Sequence, residues 1–279
     1  MHHKNVSKNI DSLHKWILEA DAIIIGAGSG LSSACGYDFY HNQSILEESF
    51  PDFYHKYGFR SLWDGYYYLY SCMEDQWGYY SHFIQWLREL NVGDTYKELN
   101  RILSDKSYFI LTSNVDGQFF KLFPKEKIFP FQGDYRYLQC GQPCHDKIYE
   151  NDKMIHSMVK NTNHVSIPSD LVPRCPHCGH LMVPWVRDDT FLEGEYWKHC
   201  QKNYEDFLNR YKDEQVLFLE LGVGDMTPSV IKLPFWDLTS RLPYAKYASI
   251  NLSKSSVPEQ IKERAISIAA DLLTVLKQL

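Results

Sequence analysis

Four of the seven cysteines fall into two pairs, Cys140-x3-Cys144 and Cys175-Pro-His-Cys178, thirty residues apart. Two such knuckles can close a tetrahedral four-thiolate zinc site, and with every position filled by protein the ion would be structural, not a catalyst. His145, His177 and His180 lie near enough in sequence to substitute as ligands, although each also reads as an ordinary surface histidine. An odd cysteine count without a secretory leader argues against a disulfide framework. Cys35, Cys72 and Cys200 are scattered and read as inert thiols.

A second chemistry shows in three glycine-containing turns, two of which also carry an acid. Gly26-Ala27-Gly28-Ser29-Gly30 follows an apolar run and suits a turn whose backbone amides meet a pyrophosphate, although Leu31 breaks the full dinucleotide fingerprint. Thr112-Ser113-Asn114-Val115-Asp116-Gly117 places an amide and a carboxylate two residues apart. Such a pair can hold a sugar hydroxyl and a carboxamide together; alternatively, both residues cap the next helix. The third turn, Phe131-Gln132-Gly133-Asp134, carries a glutamine and an acid.

These turns need a frame. Ile10, Leu13, Trp16 and Ile17 recur at helical spacing, and Ala22-Ile23-Ile24-Ile25 then runs into the glycines. The alternation returns: helical DTYKELNRIL before SYFILTSN, then IFPF, then helical YEDFLNRY before VLFLELG, then YASINL and a closing stretch SIAADLLTVLKQL that reads as an amphipathic helix. Short apolar strands between helices predict an α/β fold with a doubly wound parallel sheet, whose ligands sit at the carboxyl ends of the strands. Residues 36–90 are rich in Tyr and Trp and read as an inserted helical module. From Cys140 to about Arg187 a second insertion carries the paired cysteines; its centre, NDKMIHSMVKNTNHVSIPSD, lacks clear periodicity and is expected to be mobile.

At 279 residues and 44% hydrophobic composition, the chain suits one large domain with a small appended one. No internal repeat stands out. MHHKNVSKNI offers no leader-length apolar run and no window approaches a membrane span, so a cytoplasmic protein is expected. A formal charge of −6 offers no sequence-wide attraction to nucleic acid or anionic membrane.

In this order, GAG, S-N-V-D-G, Q-G-D-Y ahead of paired cysteines, C-P-H-C-G, G-V-G-D-M-T-P and I-N, the chain resembles the sirtuin family from about residue 12 to 278. The resemblance implies a Rossmann-type NAD-binding domain (1–35, 91–139 and 188–279), a cofactor loop and helical module (36–90) and a zinc-ribbon module (140–187). It further implies that Gly26, Ala27 and Gly28 meet the pyrophosphate, with Ser32 as a further cofactor contact and Asp38, Phe39 and Tyr40 at the end of the cofactor loop. Asn114, beside Ser113, would meet the nicotinamide ribose and Asp116 the carboxamide. Gly222, Val223 and Gly224 would lie near the adenosine phosphate and ribose, Asn251 and Leu252 near the adenine ribose, and Ala270 or Asp271 near adenine.

The departures carry as much weight. Tyr40 replaces the arginine of a DFR motif, Ser113-Asn114 replaces QN, Trp185-Val186-Arg187-Asp188-Asp189 stands where an FGE segment pairs with an acyl-lysine peptide, and Gln132-Gly133 replaces HG. Nicotinamide leaves NAD as a neutral molecule and needs no general acid, so cleavage survives the loss of histidine. Deacylation then needs a base titrating near neutrality, and glutamine cannot take that proton, although it can orient a ribose or a nucleophile. Asp134, Asp188 and Asp189 are the candidates for a compensating base. The pattern is similar to the microbial class M sirtuins, linked to macrodomain proteins. That likeness implies NAD-dependent protein mono-ADP-ribosylation with Asn114, Asp116 and Gln132 at the reacting centre, a lipoylated glycine-cleavage H-like carrier as acceptor, macrodomain-hydrolase and lipoate–protein ligase partners, and a role in redox stress. The alternatives are a deacylase with another base and a silent NAD or ADP-ribose sensor.

Overall fold

The computed structural model describes residues 2–39, 41, 43–224, 228–253 and 256–279, with side chains from residue 6 onward. Along the chain, helix α1 (His2–Glu19) leads into strand β1 (Ala22–Ala27) and the short α2 (Gly30–Ser33). Four helices follow: α3 (Gln43–Ser49), α4 (Pro51–Tyr57), α5 (Leu62–Tyr67) and α6 (Met73–Glu89). Then come α7 (Asp94–Leu103), β2 (Tyr108–Thr112), β3 (Ile128–Pro130), β4 (Gly133–Cys140), β5 (Tyr149–Glu150), α8 (Asp152–Asn161) and β6 (Met182–Val186). The chain closes with α9 (Glu195–Tyr211), β7 (Val216–Leu221), α10 (Lys232–Arg241), β8 (Lys246–Asn251), β9 (Ala265–Ala269) and α11 (Leu272–Leu276).

The described residues form two compact units, one of Met1–Tyr37, Val92–Gln132 and Trp197–Leu279, the other of Asp38–Asn91 and Gly133–Tyr196. In the first, six strands run parallel in the order β3-β2-β1-β7-β8-β9. Every residue of β1, β2 and β7 is buried, which is why these strands read as unbroken apolar runs. Leu13 and Ile17 of α1, Leu99 and Leu103 of α7 and Val275 of α11 pack over one core with Ile23 and Ile25. The strand order reverses between β1 and β7, so a crevice opens at the carboxyl ends of those strands, the place where open α/β sheets bind ligands.

Two expectations change. The closing stretch is not one helix: residues 265–269 form an edge strand burying Ile266 and Ile268 in period two, and only then does Asp271 cap α11. The centre of the second insertion, without clear periodicity in the sequence, is helical: α8 forms there and buries Ile155 and Met158 completely. Its start is fixed by Asn151, whose Nδ2 donates to the Tyr135 carbonyl at 2.9 Å, and by Arg88 of α6, which donates to Asp152 at 2.7 Å.

The second unit gathers α3–α6, α8 and an antiparallel sheet ordered β5-β4-β6. Residues 134–139 therefore pair with the cysteine-bearing segment, and the helical and cysteine-bearing insertions share one unit. Within it Asp75, 5% exposed, accepts from Lys56 Nζ at 2.9 Å, from the Tyr57 hydroxyl at 2.5 Å and from Ser166 Oγ. Burial pushes this carboxyl up, but the three donors outweigh burial and hold it at about 2. A depressed folded pKa stabilises the fold above the ordinary carboxylate range and loses that contribution as the pH falls towards 2. We therefore expect Asp75→Asn to lower stability at pH 7 by about 1–3 kcal/mol and to flatten the decline between pH 5 and 2.5, read from urea midpoints. Equal acid sensitivity in both proteins would refute this assignment.

Candidate active site

Strand ends in the first unit are stitched together by short bonds. The Ala27 carbonyl accepts from Ser113 N at 3.0 Å, Thr112 Oγ1 at 3.2 Å and Ser113 Oγ at 3.3 Å, joining β1 to the end of β2. Phe131 N reaches the Thr112 carbonyl at 3.0 Å, and Trp197 Nε1 reaches the Phe131 carbonyl at 3.1 Å. Gln132 is therefore carried on an anchored turn beside Ser113 and Asn114, half-buried.

Asp116 and Asn114 meet through Ser32. Ser32 Oγ donates to Asp116 Oδ2 at 2.5 Å and lies 2.8 Å from the Tyr96 hydroxyl, while Asn114 Nδ2 approaches that hydroxyl at 3.3 Å and Ser32 Oγ at 3.4 Å. Because the single serine hydrogen points at the carboxylate, the tyrosine must donate to Ser32 and the asparagine amide to both oxygens. Tyr96 is wholly buried, and burial followed by the charge of Asp116 pushes its hydroxyl well above the usual tyrosine range, which keeps it a donor. The other carboxylate oxygen takes Gln118 N at 3.0 Å. Asp116 thus serves the following turn, as the capping reading expects, while the Asn114 amide turns to Ser32 and Tyr96 instead.

The glycines have a reason of their own. A Cβ on Gly28 would stand 2.8 Å from both the Gly222 carbonyl oxygen and Val223 Cα, and one on Gly26 would stand 2.3 Å from Ile231 Cγ2. Gly28 N bonds the Leu221 carbonyl at 3.0 Å and Gly30 N the Gly222 carbonyl at 2.9 Å, so two turns press backbone on backbone across the crevice. Gly224 differs, as a Cβ there meets nothing within 4 Å among the described residues. Asn251 Nδ2 holds the Val223 carbonyl at 2.9 Å, its Oδ1 accepts from Leu252 N at 2.8 Å, and its own carbonyl takes Ala270 N at 3.0 Å. Asp271 Oδ1 caps α11 through Thr274 N at 2.8 Å, and Leu252 is exposed.

Asp38 and Phe39 belong to the second unit, where Asp38 Oδ1 accepts from His41 N at 3.1 Å and Phe39 meets Trp86 edge-on at 6.1 Å. Tyr40 lies outside the described residues. Among the proposed compensating bases, Asp134 is buried and gripped by Arg136, whose Nε lies 3.0 Å from each carboxylate oxygen and Nη2 2.9 Å from one. Burial raises the Asp134 carboxyl from its ordinary value while Arg136 opposes the rise, and both oxygens are engaged. Asp188, exposed, caps Thr190 through N at 2.7 Å and Oγ1 at 2.8 Å; Asp189 is exposed as well.

The cysteine pairs converge. The four Sγ atoms of Cys140, Cys144, Cys175 and Cys178 all lie within 4.8 Å of one another, with Cys140 and Cys178 at 3.5 Å and Cys144 and Cys175 at 3.8 Å, and none is in a disulfide. Tetrahedral zinc–thiolate bonds of about 2.3 Å set sulfur atoms about 3.8 Å apart, so the donor set fits such an ion. Gly179, with φ 76°, turns the second knuckle back so that its N meets the Cys175 carbonyl at 2.8 Å.

This architecture has solved counterparts. A sirtuin studied for substrate affinity superposes with a TM-score of 0.60 at 16% identity, covering 96% of each chain. A Sir2 homologue in complex with NAD gives 0.59 at 14% identity, over 96% of this chain and 91% of the other. The protein therefore has the sirtuin fold. No protein-family model matches the chain. Among curated proteins, a protein ADP-ribosyltransferase of Staphylococcus aureus (strain Mu50) is 34% identical over 97% of this chain and 86% of its own length. A probable bifunctional ADP-ribose hydrolase/ADP-ribosyltransferase of Fusarium oxysporum f. sp. cubense is 31% identical over 81% of this chain, which spans 39% of that longer protein. The chain belongs to the sirtuin-type protein ADP-ribosyltransferases.

Tyr96 escaped sequence reading because Tyr96, Leu99 and Leu103 look like one apolar helix face. Removing its hydroxyl leaves Ser32 and Asn114 each one partner short. Tyr96→Phe is expected to keep the fold and lower kcat/KM for ADP-ribose transfer about tenfold. An unchanged value would reduce Tyr96 to a core filler.

Proposed function

We propose that this protein is an NAD-dependent mono-ADP-ribosyltransferase whose acceptor is a lipoylated glycine-cleavage H-like carrier protein. What carries the reading is the pairing of an intact Ser32–Asp116–Asn114–Tyr96 relay with a glutamine at residue 132, where the resemblance leads one to expect a histidine. The relay fits the first half of the reaction. Asp116 offers carboxylate oxygens to a carboxamide, and Asn114 presents a fixed amide to the adjoining ribose. The bond between the ribose C1′ and nicotinamide breaks, nicotinamide leaves neutral with the bonding pair, and an acceptor nucleophile closes on C1′ and gives its proton to solvent.

Gln132 suits the second half in a transferase. Its amide can orient the ribose or the incoming group but cannot act as a base near neutral pH. The engagement of Asp134 by Arg136 also speaks against the deacylase alternative. Gly26, Ala27, Gly28, Gly222, Val223, Gly224, Asn251, Leu252, Ala270 and Asp271 would bound the rest of the dinucleotide, with Ser113, Asp38, Phe39 and Tyr40 as further contacts.

A zinc ion held by Cys140, Cys144, Cys175 and Cys178 would staple the β4–β6 ribbon and take no part in the reaction. The Fusarium relative's name joins a hydrolase to a transferase, which supports a macrodomain hydrolase as partner here; a lipoate–protein ligase would supply the acceptor. This reading puts the enzyme in the cytoplasm, in a redox-stress response.

Intact-mass spectrometry of the lipoylated carrier with enzyme and NAD, beside an unlipoylated control and an acetyl-lysine peptide, tests the reading. One ADP-ribose on the lipoylated carrier alone is expected. Asn114→Ala should cut transfer by about two orders of magnitude with the fold intact, and Gln132→His should not by itself bring deacetylation. Loss of acetyl from the peptide without a carrier adduct would make this chain a deacylase.

A further inference from the structure

Beside the four-cysteine cage stands another group of ligating atoms. Cys144 Sγ lies 3.0 Å from His145 Nδ1 and 3.9 Å from His177 Nδ1, and the two imidazoles stack with centroids 5.2 Å apart at 18°. The outer nitrogen of His145, Nε2, is 2.7 Å from the Tyr149 hydroxyl. We propose that Cys144, His145 and His177 form a second metal site for a divalent cation of the zinc class, sharing the Cys144 sulfur with the ion in the cage.

Geometry is the first argument. Bonds of about 2.3 Å to sulfur and about 2.0 Å to nitrogen, at a tetrahedral angle, separate a sulfur from a nitrogen ligand by about 3.5 Å. The two observed separations straddle that value, and the three ligand atoms all lie within 4.8 Å of one another.

The second argument is orientation. A ligating histidine usually gives its other ring nitrogen to an oxygen, which fixes both tautomer and ring plane. Binding through Nδ1 leaves the His145 proton on Nε2, where the Tyr149 oxygen can accept it. This ring is thus already set for a metal on the sulfur side, and the stacked His177 presents the same nitrogen.

Charge and access complete the case. Four thiolates around one divalent ion carry a net charge of −2, which a second divalent ion would cancel, and a bound thiolate retains lone pairs for bridging. Cys140 and Cys175 are buried whereas Cys144, Cys178 and His177 are exposed, so the second ion would enter from solvent and keep a position for water. The competing arrangement has the imidazoles only as hydrogen-bond donors to the cage thiolate, with no second ion.

The inference rests on the cage reading, and metal counting separates the two. Full-length protein would be titrated with Zn2+ and, in parallel, Co2+, with ions per chain measured by mass spectrometry after gel filtration and the visible Co2+ spectrum recorded. We expect two ions per wild-type chain, one in the His145→Ala/His177→Ala double variant, and about tenfold weaker binding of the second ion in Tyr149→Phe, which keeps all three ligands. One ion in both wild type and double variant would overturn the second site and leave the cage. Two in both would place the extra ion elsewhere, and none in either would remove cage and second site together.

Discussion

The bond from Ser32 to Asp116 holds the carboxyl ends of β1 and β2 in one arrangement. Ser32 lies on α2, just past the first glycine turn; Asp116 lies in the loop after β2; Tyr96, on α7, meets Ser32 from a third element. If that bond broke, a buried carboxylate oxygen and a buried hydroxyl would each lose a partner in a dry place, at a cost of about 1–3 kcal/mol per group. The cheapest state keeps α2, α7 and the β2 loop in fixed relation. Directionality follows from the same bond, because one serine hydrogen committed to the carboxylate fixes the sense of every other donor in the relay.

Site and scaffold are thus hard to separate. Many residues suggested for NAD also hold the protein together: Asn251 ties the turn at Val223, Asp271 caps α11, and the glycines let two turns touch. A strand-end crevice must satisfy its own backbone groups before it offers any to a ligand. Gln132 and Gly224 stand apart: among the described residues, no hydrogen bond engages the Gln132 side chain and no atom lies within 4 Å of a Cβ at Gly224. The second unit answers a different demand, with Asp75 gathering α4, α6 and the chain at Ser166, while the cysteine cage gathers the ends of the ribbon.

The parallel sheet was legible because strands covered on both faces admit almost nothing polar, so Ala22-Ile23-Ile24-Ile25 and Val216–Leu221 announce themselves. The cysteine cage was legible because ligand spacing is local in sequence. What failed was of another kind. Strand β9 buries only alternate residues and runs at once into a helix, so its period of two was absorbed into the helical pattern behind it. Helix α8 shows two buried side chains among polar ones, too few to declare a period, and gains its place from Asn151 and Arg88. Tyr96 is 64 residues from its serine, and only the tertiary fold turns an apparent core aromatic into part of a polar relay.

The contrast between Gly28 and Gly224 bears on how this enzyme could be engineered. Positions 28, 30 and 222 form a block whose atoms already touch, so a library randomised there would return mainly misfolded chains. Position 224 has no left-handed backbone, and among the described residues a Cβ there meets nothing within 4 Å. A single cysteine placed there would give a handle for a fluorophore next to the glycine turns, without touching the buried relay of Ser32, Tyr96, Asn114 and Asp116.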